Sequence, residues 1–282
     1  MADDRKVTLF HSPNTRSSGA LTLLEELGTP YELHVLNMKA GAQRRPEYLA
    51  INPMGKVPAL RHGDALVTEQ VAIFLYLADL FPEARLAPPL GDPLRGPYLR
   101  WMVFYAACFE PAVIDSATHR DPAPQPMSPY GDFETMLRTL TDQLAKGPYL
   151  LGERFTAADV LWGGALTWTT MFKLVPELPV ITAYIGRYAA RPSVARAKAK
   201  DAELAAAHEA AVASTAARYA GRTSPDGGQS ASTSRTVTPR TRPSRACRIA
   251  ATRSLGERIG TSNALLPPSN CPISSMLRTT ST

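Results

Sequence analysis

The chain opens with short apolar runs of two different periods. Lys6–Phe10 (KVTLF) and Tyr31–Leu36 (YELHVL) read as strands. Between them, Gly19–Leu27 (GALTLLEEL) carries apolar residues at helical spacing and stops at Gly28. Strand, helix and strand make one βαβ unit, whose strands are expected to be parallel. A short helix is predicted near Pro46–Ala50. Lys56–Leu60 and Ala65–Val67 are two more short strands, with His62-Gly63-Asp64 between them as a hairpin signal. Glu69–Phe81 (EQVAIFLYLADLF) is an apolar helix stopped by Pro82. The order β-α-β-(α)-β-β-α predicts a thioredoxin-like α/β domain over residues 5–84, with a sheet of mixed direction.

Proline and glycine then crowd residues 85–97, which are expected to be a linker. From Tyr98 the helical period dominates. Helices are predicted near Tyr98–Thr118, Pro129–Lys146, Ala157–Phe172, Pro179–Ala190 and Ser193–Ala217, giving an all-α domain over residues 98–217. Trp101, Tyr105 and Phe109 recur at helical spacing and read as core rather than as pocket. The pattern ends at residues 221–282, which hold no Phe, Tyr or Trp and are about one-third Ser and Thr. Such a segment cannot bury enough apolar area to offset chain entropy, so a disordered tail is expected.

Charge follows the same boundary. The formal net charge is +6, yet residues 221–282 hold nine Arg, no Lys and only two acids, which leaves residues 1–220 at −1. The basicity belongs to the tail, so the body gives little reason to expect a nucleic-acid partner. The three cysteines lack CxxC spacing, and Cys108, in WMVFYAACF, is expected to be a buried core thiol. The five histidines lack metal-ligand spacing, so no metal is assigned, and no glycine-rich phosphate loop occurs. Without a signal-peptide pattern or an apolar run of about 20 residues, a cytoplasmic protein without membrane attachment is expected.

Four motifs carry a resemblance. SPNTRS opens the first helix, INPMGKVPAL covers Ile51–Leu60, TEQVAIFLYL covers Thr68–Leu77, and TAAD at Thr156–Asp159 precedes an apolar helix. Together, over about residues 6–215, they resemble the cytosolic glutathione transferase superfamily, of bacterial type and undetermined class. The resemblance implies a homodimer that binds glutathione as co-substrate and conjugates it to a hydrophobic electrophile bound between the domains. It also implies that Val57-Pro58 is cis, so that the N–H and C=O of Val57 pair with the cysteinyl backbone of glutathione. Glu69 and the backbone of Gln70, at a helix start, would take the γ-glutamyl end, and Lys56 the glycyl carboxylate. Gln70 departs from the usual serine, so its side chain must turn aside or replace a hydroxyl contact. Thr156 and Asp159 have capping-box spacing and are read as a folding element.

The thiol-activating residue is less defined. The tyrosine of one family group would fall at Phe10, the cysteine of the bacterial type at Arg16, and the Ser or Thr of a third group near Asn14. Thr15 is expected as the leading donor to sulfur, sharing the site with Asn14, while Ser12 and Ser17 stand in reserve. Thr15 or Asn14 could instead cap the first helix. A non-catalytic glutathione-binding or protein-interaction module of the same fold is the alternative function.

Overall fold

A computed structural model describes residues 5–120 and 123–220, with the side chains of 214–220 left out. The expected tail, residues 221–282, lies outside the described residues.

The first half forms as its apolar periods require. Strand β1 (Val7–His11) pairs in parallel with β2 (Tyr31–Val35), and helix α1 (Ser17–Leu27) makes the crossover. Strands β3 (Ala59–His62) and β4 (Ala65–Thr68) complete a four-stranded sheet in the order β2-β1-β3-β4, antiparallel at β1–β3 and β3–β4. Short α2 (Pro46–Leu49) precedes β3, and α3 (Gln70–Leu80) packs beside α1. This is the thioredoxin-like mixed sheet. Alternation along β1 divides two cores. Val7 and Leu9 face α1 and α3, while Phe10 joins Leu36, Tyr48, Val57 and Ala59 on the opposite face.

One strand starts later than its sequence suggests. Lys56 was expected inside it, but the carbonyl of Lys56 accepts from Tyr48 Oη (2.6 Å) and Asn52 Nδ2 (2.9 Å), and regular pairing begins only at Ala59. Asn52 Oδ1 also accepts the Met54 N–H at 3.1 Å, which closes the NPMG turn. Gly55 has φ 60°, and a Cβ there would meet Gln43 O at 2.9 Å, so the motif requires glycine.

The second half is all helical: α4 (Arg95–Phe104), α5 (Glu110–Ala117), α6 (Phe133–Leu144), α7 (Ala157–Met171), α8 (Pro179–Ala189) and α9 (Pro192–Ala220). The single helix expected over Tyr98–Thr118 is interrupted by a π turn at Tyr105–Phe109, where Glu110 N–H reaches back to Tyr105 O. Pro111 accounts for it, since its missing N–H cannot serve the carbonyl four residues earlier. Trp101, Tyr105 and Phe109 are buried, as a core stripe should be. Cys108 is the correction: it is only half-buried, on the flank of that stripe, with Sγ 3.5 Å from Pro129 O.

Helix α7 is the centre of this half. Its N-terminus carries the capping box, with Thr156 N–H donating to Asp159 Oδ2 at 2.8 Å. Asp159 is buried and also accepts from Leu150 N–H (2.9 Å) and Tyr184 Oη (2.8 Å). Burial pushes the Asp159 carboxyl up, and these donors pull against that rise. Helix α9 returns from this half to α1: Arg191 and Ser193 hold Glu26, and Arg196 and Lys200 hold Glu25. Burial alone would raise Glu25, but hydrogen bonds from Lys200, Tyr31 and Arg196 outweigh it and bring its pKa down to about 2.

Candidate functional site

The sheet register assembles three separate segments. Phe10 lies opposite Ala59 in the last pair that β1 makes with β3, so the chain after Phe10 and the chain before Ala59 leave the sheet at the same end. Ala59 lies opposite Thr68, so Glu69 and the start of α3 follow at that end as well. The Val57–Pro58 bond is cis, and both residues are buried, whereas the Lys56 side chain is exposed.

Glu69 caps α3 with φ 68° and ψ 120°, a conformation that L residues rarely hold. Its side chain is exposed, and the first turn of the helix that follows it has open amides. Gln70 turns aside. Its Nε2 donates to Arg16 O at 3.1 Å, and its Oε1 lies 3.3 Å from Tyr105 Oη, whose proton is directed at Glu110 Oε1 at 2.6 Å. Gly19 makes room for it, since a Cβ there would sit 2.8 Å from Gln70 Nε2. The backbone amide of Gln70 therefore stays with the helix terminus while its side chain ties α3 to the start of α1.

The Ser12–Ser18 turn divides its polar groups between inward and outward roles. Thr15 Oγ1 donates to Ser12 O at 2.7 Å, lies 2.7 Å from Ser17 Oγ and accepts Ser17 N–H at 3.2 Å. A hydroxyl has one proton, and both acceptors within its reach are internal. Thr15 thus braces the turn that leads into α1, whose N-cap residue is Arg16 and makes no side-chain cap hydrogen bond. Ser17 is fully buried; its Oγ accepts Ser12 N–H at 3.1 Å and lies 2.9 Å from His11 Nδ1. Asn14 differs. Its backbone is left-handed at φ 58°, its side chain is exposed, and among the described residues no hydrogen bond engages that side chain. No described hydrogen bond engages the Ser12 hydroxyl either.

Two residues of this neighbourhood escaped the sequence reading. Phe10, where a tyrosine might have stood, points to the far face of the sheet beside Tyr48. The polar group on the α1 face is His11, which strand alternation could have identified. Its partner, Asp201 on α9, had no sequence signal. Arg16, at the cysteine position, pairs with Glu110 at 2.5 Å and lies over Trp168 at 5.6 Å. Among the described residues no cluster of three His, Cys, Asp or Glu could hold a metal ion, and no helix is long and apolar enough to cross a membrane.

Comparison with known proteins agrees with this geometry. Residues 5–79 match the glutathione S-transferase N-terminal domain family, and residues 130–187 the corresponding C-terminal domain family. The chain is 32% identical to glutathione S-transferase GstA of Escherichia coli O157:H7 over 191 residues, covering 66% of this chain and 94% of that one. It is 26% identical to the disulfide-bond oxidoreductase YfcG of Escherichia coli K12, covering 69% of this chain and 95% of that one. A glutathione transferase homologue from Sulfitobacter with bound glutathione superposes with a TM-score of 0.57 at 29% identity, covering 70% of this chain and 98% of that one.

Proposed function

Since the chain belongs to the glutathione S-transferase superfamily, we propose that it binds reduced glutathione along the Ser12–Pro58–Glu69 edge and conjugates it, through its sulfur, to a hydrophobic electrophile. The observation that carries this reading is the register that brings the cis Val57–Pro58 bond, the Ser12–Ser18 turn and the strained start of α3 together. The backbone N–H and C=O of Val57 pair with the cysteinyl unit as an added strand. Glu69 holds the γ-glutamyl ammonium, the amides of Gln70 and Val71 hold its carboxylate, and Lys56 faces the glycyl carboxylate.

For the sulfur, the geometry favours Asn14 with Ser12 over Thr15. Asn14 Nδ2 and the Ser12 hydroxyl are the uncommitted donors of the turn, while Thr15 and Ser17 brace it from within. The thiol gives its proton to water, and the two donors stabilise the thiolate. A sulfur lone pair then forms the C–S bond, and the electrophile either expels its leaving group with the bonding pair or takes a proton. The protein acts in the cytoplasm as a homodimer. Met54 and Leu66, exposed apolar residues of the thioredoxin-like half, offer that half an apolar contact surface.

Two assays test the reading: retention on immobilised glutathione, then turnover on a panel holding aryl halides, an α,β-unsaturated carbonyl and a small disulfide. Retention and conjugation are expected. Retention with no turnover would instead identify a binding module, turnover of the disulfide alone an oxidoreductase, and loss of retention would contradict the proposal.

A further inference from the structure

The ring of His11 is fully buried at the end of β1 and is bridged to α9. Its Nδ1 lies 2.9 Å from Ser17 Oγ and its Nε2 2.9 Å from Asp201 Oδ1. The other oxygen of Asp201 accepts from Ser18 Oγ and from the backbone N–H of Asn14 at 3.3 Å. One carboxylate from the last helix therefore reaches the sulfur turn at three points: directly at Asn14 and Ser18, and through His11 at Ser17.

Folding alone does not require this arrangement. A buried polar network has a desolvation cost that an apolar pair of similar volume would avoid, and such networks are best attested where they specify one geometry. What this network specifies is the turn. The contact to Asn14 N–H fixes the residue whose left-handed backbone aims its amide outward, and the His11 contact fixes Ser17, which holds Ser12 N–H. Lys200, the neighbour of Asp201 on α9, turns away to Glu25, and Arg196 does the same. Burial alone would push the Asp201 carboxyl up, but the close approach of His11 and hydrogen bonds from Ser18 and Asn14 outweigh it and hold it below the ordinary aspartate value.

We propose that Asp201, together with His11, is a positioning residue for the thiolate site, holding the Ser12–Ser18 turn so that Asn14 and Ser12 point at the sulfur of glutathione. This rests on the reading that those two side chains meet the sulfur. It couples chemistry in the thioredoxin-like half to the docking of α9: a change that lifts α9 should alter the thiol before it alters glutathione binding.

A double-mutant cycle on the full chain tests it, with Asp201→Asn, Asn14→Gly and the pair, reading glutathione affinity, kcat and the apparent pKa of the bound thiol. Glycine keeps the left-handed backbone at position 14 while removing the amide. Asp201→Asn is expected to lower kcat about ten-fold and raise the bound-thiol pKa, with affinity changed less than about two-fold. The double variant should lose little beyond Asn14→Gly alone. A lower melting temperature with kcat and thiol pKa unmoved would overturn the proposal, as would full additivity in the cycle. If Asp201→Asn does not fold, His11→Gln, whose amide still reaches Asp201 but offers Ser17 no ring acceptor, is judged on the same two quantities. A silent Asn14→Gly would overturn the sulfur assignment itself. A shift there beside an unmoved Asp201→Asn would overturn only the role of Asp201.

Discussion

Replacing Asp159 with alanine should be the most destabilising single change at any polar position described above. The carboxylate accepts from Leu150 N–H, Thr156 N–H, Thr156 Oγ1 and Tyr184 Oη, all buried. Alanine leaves those donors without a partner, and an unmet buried donor costs about 1–3 kcal/mol. Losses within one network are not additive, so a total of about 3–5 kcal/mol is expected, well above the loss of an ordinary exposed helix cap. For a chain of this size that is a fall of roughly 10 °C in melting temperature. Tyr184→Phe, which removes one donor together with its need for an acceptor, should cost only about 1 kcal/mol. Activity per folded molecule should barely change in either variant, because Asp159 lies at the start of α7 and its hydrogen bonds among the described residues go to Leu150, Thr156 and Tyr184, none in the Ser12–Ser18 turn. Thermal melts beside activity corrected for folded fraction decide it. Lost activity with an unchanged melt would place Asp159 in the chemistry instead.

Asn14→Gly should produce the largest loss of activity with least loss of structure. A hydrogen bond to an ionised group is worth about 1.5–3 kcal/mol, so removing one that is made to the thiolate lowers kcat about 10–100-fold. Affinity for glutathione should change little, because the cis-proline edge and the start of α3 are proposed to hold the rest of the tripeptide. Ser12→Ala should give a smaller loss in the same direction. Thr15→Val, by contrast, removes a proton directed at Ser12 O, so it should loosen the turn and lower the melting temperature more than it moves the pH–rate profile. If Thr15→Val shifts the profile and Asn14→Gly does not, the two residues exchange roles.

The elements were legible wherever one physical rule dominates. The apolar periods of KVTLF, GALTLLEEL and EQVAIFLYLADLF placed β1, α1 and α3 to within two residues. The Thr156–Asp159 spacing predicted the cap of α7, and its number of donors could not be read, since Leu150 and Tyr184 reach Asp159 through tertiary packing. The π turn at Tyr105–Phe109 was within reach, because Pro111 cannot donate inside a continuous helix. The late start of β3 was not, because it depends on Tyr48 and Asn52 capturing the Lys56 carbonyl. At the site, residue types marked the candidate turn, but the direction of each hydroxyl was not legible. Thr15 and Asn14 are adjacent and both polar. Only the positions of Ser12 O, Ser17 and Asp201 show that one faces inward and the other outward. Asp201 lies almost two hundred residues from the turn it braces, a distance no local pattern spans.

The stabilisation of glutathione as its thiolate by this turn is the step on which the proposed function depends. Its most direct measurement is the ultraviolet absorbance of the thiolate of protein-bound glutathione, followed through a pH titration of the full chain at saturating glutathione. A free cysteine thiol titrates near about 8.5. An apparent pKa at least about one unit lower is expected for the bound thiol, with most of that shift lost in Asn14→Gly. A bound thiol that titrates like the free one, in the wild-type chain and the variant alike, would contradict the account.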